Sequence, residues 1–229
     1  MKGSILKEKY SWIWLVVLMT ILNLLFYWKF IIGKEFFLVS KDMAIQQYSS
    51  LVNWLNHIGD GIKGWSFSEG MGNSYDFSGQ TFSLNIFLLL FGKENLKYTF
   101  IWYHLIKMYL AAVLFYCALT KLGIKQKVAV YGALCYVYSA TFIVRSFWAS
   151  YALEFVLFAL LLYALECYFQ DNNWLLLVVA IVLLGTQLQL YHLVVYSVAM
   201  LCYTLIRNYL VTNYRGKKFW KYIGNCALI

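Results

Sequence analysis

The sequence predicts an all-α, polytopic membrane protein with about six transmembrane helices and one long polar segment between the first and the second. Three observations carry that prediction. The 229 residues are 62% hydrophobic and 13% charged, about half the charged share of an ordinary soluble domain. Apolar runs of about 20 residues, enough to cross a hydrocarbon core, recur along the chain. The bases that give a formal charge of +9 flank those runs instead of forming a patch on a soluble domain. That pattern argues against nucleic acid as a partner and for contact with anionic membrane lipids.

The first run, Trp12–Ile32, has no acidic residue and no base before Lys29. It is too long and unbroken for a signal peptide and reads as a retained span. The predicted spans are 11–32, 98–120, 128–145, 150–168, 174–188 and 190–208. The apolar piece Phe82–Phe91 is too short to cross and reads as re-entrant or interfacial. Proline is absent, which is unusual for membrane helices. The five cysteines, Cys117, Cys135, Cys167, Cys202 and Cys226, show no CxxC spacing and read as small packing residues.

The distribution of bases orients the spans. Lys2, Lys7 and Lys9 precede the first span. Lys121, Lys125 and Lys127 fill the turn after the second. Arg207, Arg215, Lys217, Lys218 and Lys221 follow the sixth. If each span crosses once, all three clusters fall on the cytoplasmic side. The turn 169–173, on that same side, carries Asp171 and no base, so it adds nothing to the orientation. The N-terminus is then cytoplasmic and the segment 33–97 faces outward. The apolar start Tyr222–Ile229 after a basic stretch reads as the opening of a further span, so the chain is expected to be an N-terminal fragment.

The outer segment carries six of the ten acidic residues: Glu35, Asp42, Asp60, Glu69, Asp76 and Glu94. It is longer than a connector needs to be and rich in aromatic residues. Tyr48, Leu51, Leu55 and Ile58 repeat at helical spacing, with Val52 beside them, which predicts an amphipathic helix lying on the outer interface. Residues 59–73 hold five glycines and read as tight turns; they match no phosphate-binding motif.

Asp42 sits at the start of that helix. It reads either as a carboxylate stabilising the helix N-terminus or as a general base at the membrane face. As a base it would take the proton of an acceptor hydroxyl attacking a sugar carbon, with a polyprenyl phosphate as leaving group and positive charge nearby. Lys107, roughly 14 Å inside the second span at 1.5 Å per residue, supplies such charge. His104 lies one turn outward on the same face, and Arg145 ends the third span. Glu154 is the expected partner of one of these bases. Lys107 therefore also reads as half of a structural ion pair, Arg145 as a base snorkelling to headgroups, and His104 as a packing histidine. Gln187, Gln189 and His192 read as a turn cap or as a sugar contact. No metal-ligand spacing and no nucleophile triad appears.

At these residues the chain resembles the YfhO family of bacterial membrane proteins, glycosyltransferases of the GT-C type. The family's aspartate, four residues and Gln-Tyr correspond to Asp42, Gln47 and Tyr48. Its aromatic-Ser-aromatic and Gly-x-Gly elements correspond to Trp65-Ser66-Phe67 and Gly70-Met71-Gly72, and its second-span lysine to Lys107. The likeness is firmest over 42–120. It departs where Leu84-Asn85-Ile86 stands in place of a Ser-Pro pair, and in lacking a fourth-span proline.

The resemblance implies that 1–229 is the N-terminal part of a GT-C-like transmembrane domain in a bacterial cell membrane. It implies an enzyme that transfers a sugar from undecaprenyl phosphate-sugar to a cell-surface polymer such as teichoic acid. Asp42 would be catalytic, and Gln47, Tyr48, Lys107, His104 and Arg145 would bind substrate. No cofactor is implied with certainty, and a divalent cation is compatible with the chemistry. The competing expectations are a non-enzymatic flippase of lipid-linked glycans and a membrane scaffold for envelope assembly.

Overall fold

The computed structural model describes residues 10–37, 48–57, 65–66, 73–74, 94–145, 149–187 and 190–207. In chain order the elements are α1 (Ser11–Ile31), α2 (Ser49–His57), β1 (Trp65–Ser66), β2 (Asn73–Ser74), α3 (Leu96–Lys121), α4 (Gln126–Val137), α5 (Ala140–Arg145), α6 (Ala149–Asp171), α7 (Trp174–Gln187) and α8 (Leu190–Arg207). The described residues are therefore all-helical apart from one antiparallel ladder, in which Trp65 faces Ser74 and Ser66 faces Asn73.

Among the described residues, four helical stretches are long and apolar enough to cross a membrane: α1, α3, Ala152–Asp171 of α6, and Gln126–Val144, which spans α4 and α5. The fifth and sixth expected spans coincide with α7 and α8, which are shorter. With 14 residues, α7 is about 21 Å long, against a hydrocarbon core of about 30 Å.

The chain divides into two units, Met1–Gln187 and Leu188–Ile229. In the first, α1 buries a stripe at every fourth position: Ser11, Leu15, Met19, Asn23 and Tyr27. Its other faces present Trp14, Leu25, Phe26 and Trp28 outward. An apolar helix exposed in this way is matched to a lipid surrounding. In the second unit, α8 ends on Arg207, and Ser197 returns its hydroxyl to the Leu193 carbonyl at 2.7 Å.

The ends of α3 and α6 set the topology of the first unit. Lys121, the last residue of α3, meets Asp171, the last of α6, at 2.6 Å, and the Gln170 amide donates to the Lys121 carbonyl. The two helices thus run parallel and pack directly on each other, with α4 and α5 carrying the chain from the end of α3 back to the start of α6. Asp171, which said nothing about orientation in the sequence, neutralises the base at the end of α3. Beside it Glu166 is fully buried and accepts from the Gln170 amide at 3.1 Å.

The turns use residues suited to their backbone. Gly123 ends α3 at φ 83, and Asn172 ends α6 at φ 57, where glycine and asparagine are the tolerated residues. Asn173 Oδ1 then accepts the Leu176 N–H at 3.3 Å and caps α7. The interruption between α4 and α5 is made without proline. Tyr138 N–H closes α4 on the Leu134 carbonyl, and Ser139 Oγ accepts the Phe142 N–H at 3.2 Å to begin α5.

Candidate functional site: a buried polar layer

One buried stripe of α3 follows helical spacing through Leu96, Thr99, Phe100, Tyr103, His104, Lys107, Met108 and Ala111, with Ile101, Leu105 and Ala112 buried beside it. His104 and Lys107 share it one turn apart and are 4% and 1% exposed. A lysine enclosed to that degree is costly to bury, and at membrane depth such a residue marks a functional position by default. The Lys107 side chain folds back along α3, with Nζ 3.7 Å from the centroid of the Tyr103 ring. The ring's negative face stabilises the ammonium.

Three rings enclose His104. Phe37 stacks on it with centroids 5.2 Å apart, and Tyr27 and Phe142 meet it edge-on at 5.7 and 6.5 Å. Tyr27 comes from α1 and Phe142 from α5. Phe37 comes from the non-helical residues after α1, and their path is set by the turn at Gly33. There the N–H groups of Ile32 and Gly33 both reach the Trp28 carbonyl, and the Glu35 N–H reaches the Lys29 carbonyl at 3.3 Å. A Cβ on Gly33 would collide with the Lys29 carbonyl oxygen, so this position requires glycine. The turn sends Phe37 back into the bundle, where it also meets Tyr27 and Phe30. Phe36 meets Tyr48 at 4.9 Å, just before α2.

Other polar groups stand at the same depth. On α1 the Thr20 hydroxyl bonds Tyr109 of α3 at 2.8 Å, and Tyr27 meets His104. Asn23 lies between Thr20 and Tyr27, and Lys107 between His104 and Tyr109, so Asn23 and Lys107 are level. Tyr138, at the break between α4 and α5, donates to Asn23 Oδ1 at 2.7 Å. Lys121 and Asp171 are fifty positions apart in sequence and adjacent in space. The same offset sets Glu154 of α6 level with His104, toward which the Lys107 side chain folds. Glu154 is buried at 5% exposure. Asn23, Lys107, Tyr138, His104 and Glu154 thus form one polar layer across the helices of the first unit. Among the described residues, two buried atoms of this layer have no hydrogen-bond partner: Asn23 Nδ2 and His104 Nε2. Buried polar groups are nearly always paired, so each of these atoms has unused hydrogen-bonding capacity.

Of the residues expected to act on substrate, the structure brings Lys107 and His104 together, with Tyr48 linked to the same region through Phe36. Arg145 is the last residue of α5, three positions beyond Phe142; its side chain lies outside the described residues. Asp42 and Gln47 lie outside them too, as do most of the glycine-rich stretch 59–73 and the piece Phe82–Phe91. The predicted amphipathic helix is present as α2, with Leu51 and Leu55 buried. Among the described residues no three His, Cys, Asp or Glu side chains converge on a position fit for a metal ion.

Sequence reasoning missed Asn23, Tyr138, Phe37 and Glu166. Asn23 and Glu166 carry a legible signal, since each is a polar group inside an apolar run. Phe37 and Tyr138 carry none, because an aromatic residue is unremarkable in such surroundings.

Fold and site together define a chain whose described residues are helical apart from one short ladder, with four helical stretches among them fit to cross a membrane and a basic pair enclosed within the helix bundle. Compared with family models, curated proteins and solved structures, the chain has no match.

Proposed function

We propose that this chain belongs to the transmembrane domain of a glycosyltransferase of the GT-C type that resembles the YfhO family. In this reading it moves a sugar from a polyprenyl-phosphate donor to a cell-surface polymer on the outer face of a bacterial membrane. The observation that carries the reading is the stacking of Phe37 on His104. It fastens the root of the acidic outer segment to the buried bases. Asp42 follows Phe37 by five residues, a span of at most about 18 Å of extended chain. A general base in the outer segment and a cation for the donor phosphate can therefore serve one reaction.

In this reading α7 and α8 complete six crossings, with short helices accommodated by local thinning of the bilayer. The sharing of one bundle end by Lys121 and Asp171 fits a cytoplasmic end for α3 and α6. Asp42 takes the acceptor proton, Lys107 and His104 hold the phosphate, and Gln47, Tyr48 and Arg145 position the sugar and headgroup.

A second reading, translocation of the lipid-linked glycan without chemistry, is favoured by the depth of the polar layer. The full-length protein in membranes, supplied with a labelled polyprenyl-phosphate sugar, separates the two. The transferase reading expects Asp42→Asn to abolish sugar transfer at normal protein level. Undiminished transfer by Asp42→Asn would falsify it. Lost lipid translocation in Lys107→Ala, with translocation intact in Asp42→Asn, would establish the second.

A further inference from the structure

We propose that Phe37 is a removable cover over the His104–Lys107 pair, and that its withdrawal admits the phosphate of a membrane lipid to those two bases. The inference rests on the lipid-phosphate part of the function proposed above and adds the step by which the site opens.

The bases are suited to a phosphate but closed to one. His104 and Lys107 are buried, while His104 Nε2 has no hydrogen-bond partner among the described residues. An imidazole nitrogen left in that state has a hydrogen bond to give or receive, and a phosphate oxygen or its hydroxyl supplies the other half. Lys107 adds positive charge one turn away. The pair thus has the chemistry of an anion site and the exposure of a core.

Of the rings around His104, Phe37 is the one able to leave. Tyr27 and Phe142 are carried on α1 and α5, whose backbone restricts the rotamers open to them. Phe37 lies in the non-helical residues after the Gly33 turn, and it lies flat on the imidazole with 27° between the ring planes. Residue 36 points to a different partner. Its ring meets Tyr48, at the start of the amphipathic helix α2. Consecutive side chains therefore tie one short segment to two bodies, Phe37 to the bundle and Phe36 to α2. An amphipathic helix responds to what enters the interface beside it. A lipid headgroup that shifts α2 pulls on Phe36, and Phe36 cannot move far without lifting Phe37 from His104. Coverage of the bases and arrival of lipid are coupled through two adjacent residues.

Native histidines report the cover directly. The purified full-length protein in lipid vesicles is treated with diethyl pyrocarbonate, and carbethoxylation at His57, His104 and His192 is followed by mass spectrometry. In the wild type His104 labels slowly. In Phe37→Ala its rate rises about tenfold, the size of a modest population shift toward the open site. Phe37→Leu, which keeps an apolar cover, stays near the wild-type rate. Undecaprenyl phosphate in the vesicles slows His104 labelling in Phe37→Ala, and inorganic phosphate at the same concentration does not. Retained labelling at His192 and retained helical circular dichroism show that the variant is folded. Should Phe37→Ala fail that check, Phe37→Val is compared in the same way.

A wild-type rate at His104 equal to that of Phe37→Ala, or labelling there indifferent to undecaprenyl phosphate, overturns the proposal. Equal protection by inorganic phosphate overturns the lipid as its occupant. Sugar transfer that survives Asp42→Asn removes the transferase reading and leaves these labelling results standing, so the two failures are distinguishable.

Discussion

The Tyr138 hydroxyl donates to Asn23 Oδ1 at 2.7 Å and lies 3.3 Å from the Met19 carbonyl, joining the break between α4 and α5 to the middle of α1. Asn23 is buried, and in such a position a hydrogen bond is strong and an unpaired partner costly. Tyr138→Phe is expected to destabilise the chain by about 1–2 kcal/mol, because it leaves Asn23 Oδ1 buried without its donor. Asn23→Leu removes the nearer acceptor of the phenol and leaves it the Met19 carbonyl at 3.3 Å. The double variant should cost less than the sum of the two, since it removes both partners. Chemical unfolding of the four proteins in detergent micelles measures the cycle. Strict additivity would show that the hydrogen bond is not what couples α1 to the break.

That contact also marks the limit of what the sequence discloses. The helices were legible because an apolar run of membrane length has few other fates, and because the stripe through Leu51 and Leu55 has helical spacing. Lys107 and His104 were legible as polar groups at depth on one face of α3. The break at Tyr138–Ser139 was not, since neither proline nor glycine announces it and a serine cap is visible only once the helix is known to stop there. Nor was the return of Phe37 into the bundle. It follows from the backbone at Gly33 and the left-handed Lys34, at φ 52, a conformation that lysine itself does not encode.

Two glycines make opposite predictions. A Cβ on Gly33 would meet the backbone of Lys29, which cannot step aside without deforming the last turn of α1. Gly33→Ala is expected to cost about 1–3 kcal/mol and to disturb the seating of Phe37. A Cβ on Gly132 would lie 2.7 Å from Leu119 Cδ1, the far end of a flexible side chain. Gly132→Ala should therefore cost less than about 1 kcal/mol, and the branched Gly132→Val clearly more. Unfolding midpoints of the three variants test the order. A Gly132→Ala protein less stable than Gly33→Ala would contradict the reading of both contacts.

Ser139 holds the start of α5 by accepting the Phe142 N–H. Ser139→Ala is expected to lose about 0.5–2 kcal/mol, the usual cost of a missing N-terminal cap. Since Phe142 also closes the edge of the His104 enclosure, the loss should be accompanied by faster deuterium uptake in α5. Hydrogen exchange read by mass spectrometry on peptides covering 138–145 reports both. Unchanged uptake would mean that packing of Phe142, and not the cap, holds α5 in place.

Lys107 separates function from stability. A lysine that is 1% exposed bears the cost of desolvation, which its position over Tyr103 offsets only in part. Lys107→Met keeps most of the volume of the stem and removes the charge, so a fold in which no buried carboxylate depends on that charge should be unharmed. Tyr103→Leu keeps the charge and removes the ring beneath it, and should lose about 1–2 kcal/mol. Were the lysine a structural tether, Lys107→Met would be the more damaging of the two. If its charge serves a phosphate, Lys107→Met instead abolishes sugar transfer in a protein as stable as the wild type, while Tyr103→Leu retains part of the activity in a weaker one. Unfolding and transfer assays on the same two preparations decide, and a Lys107→Met protein that is both stable and active would remove Lys107 from the site.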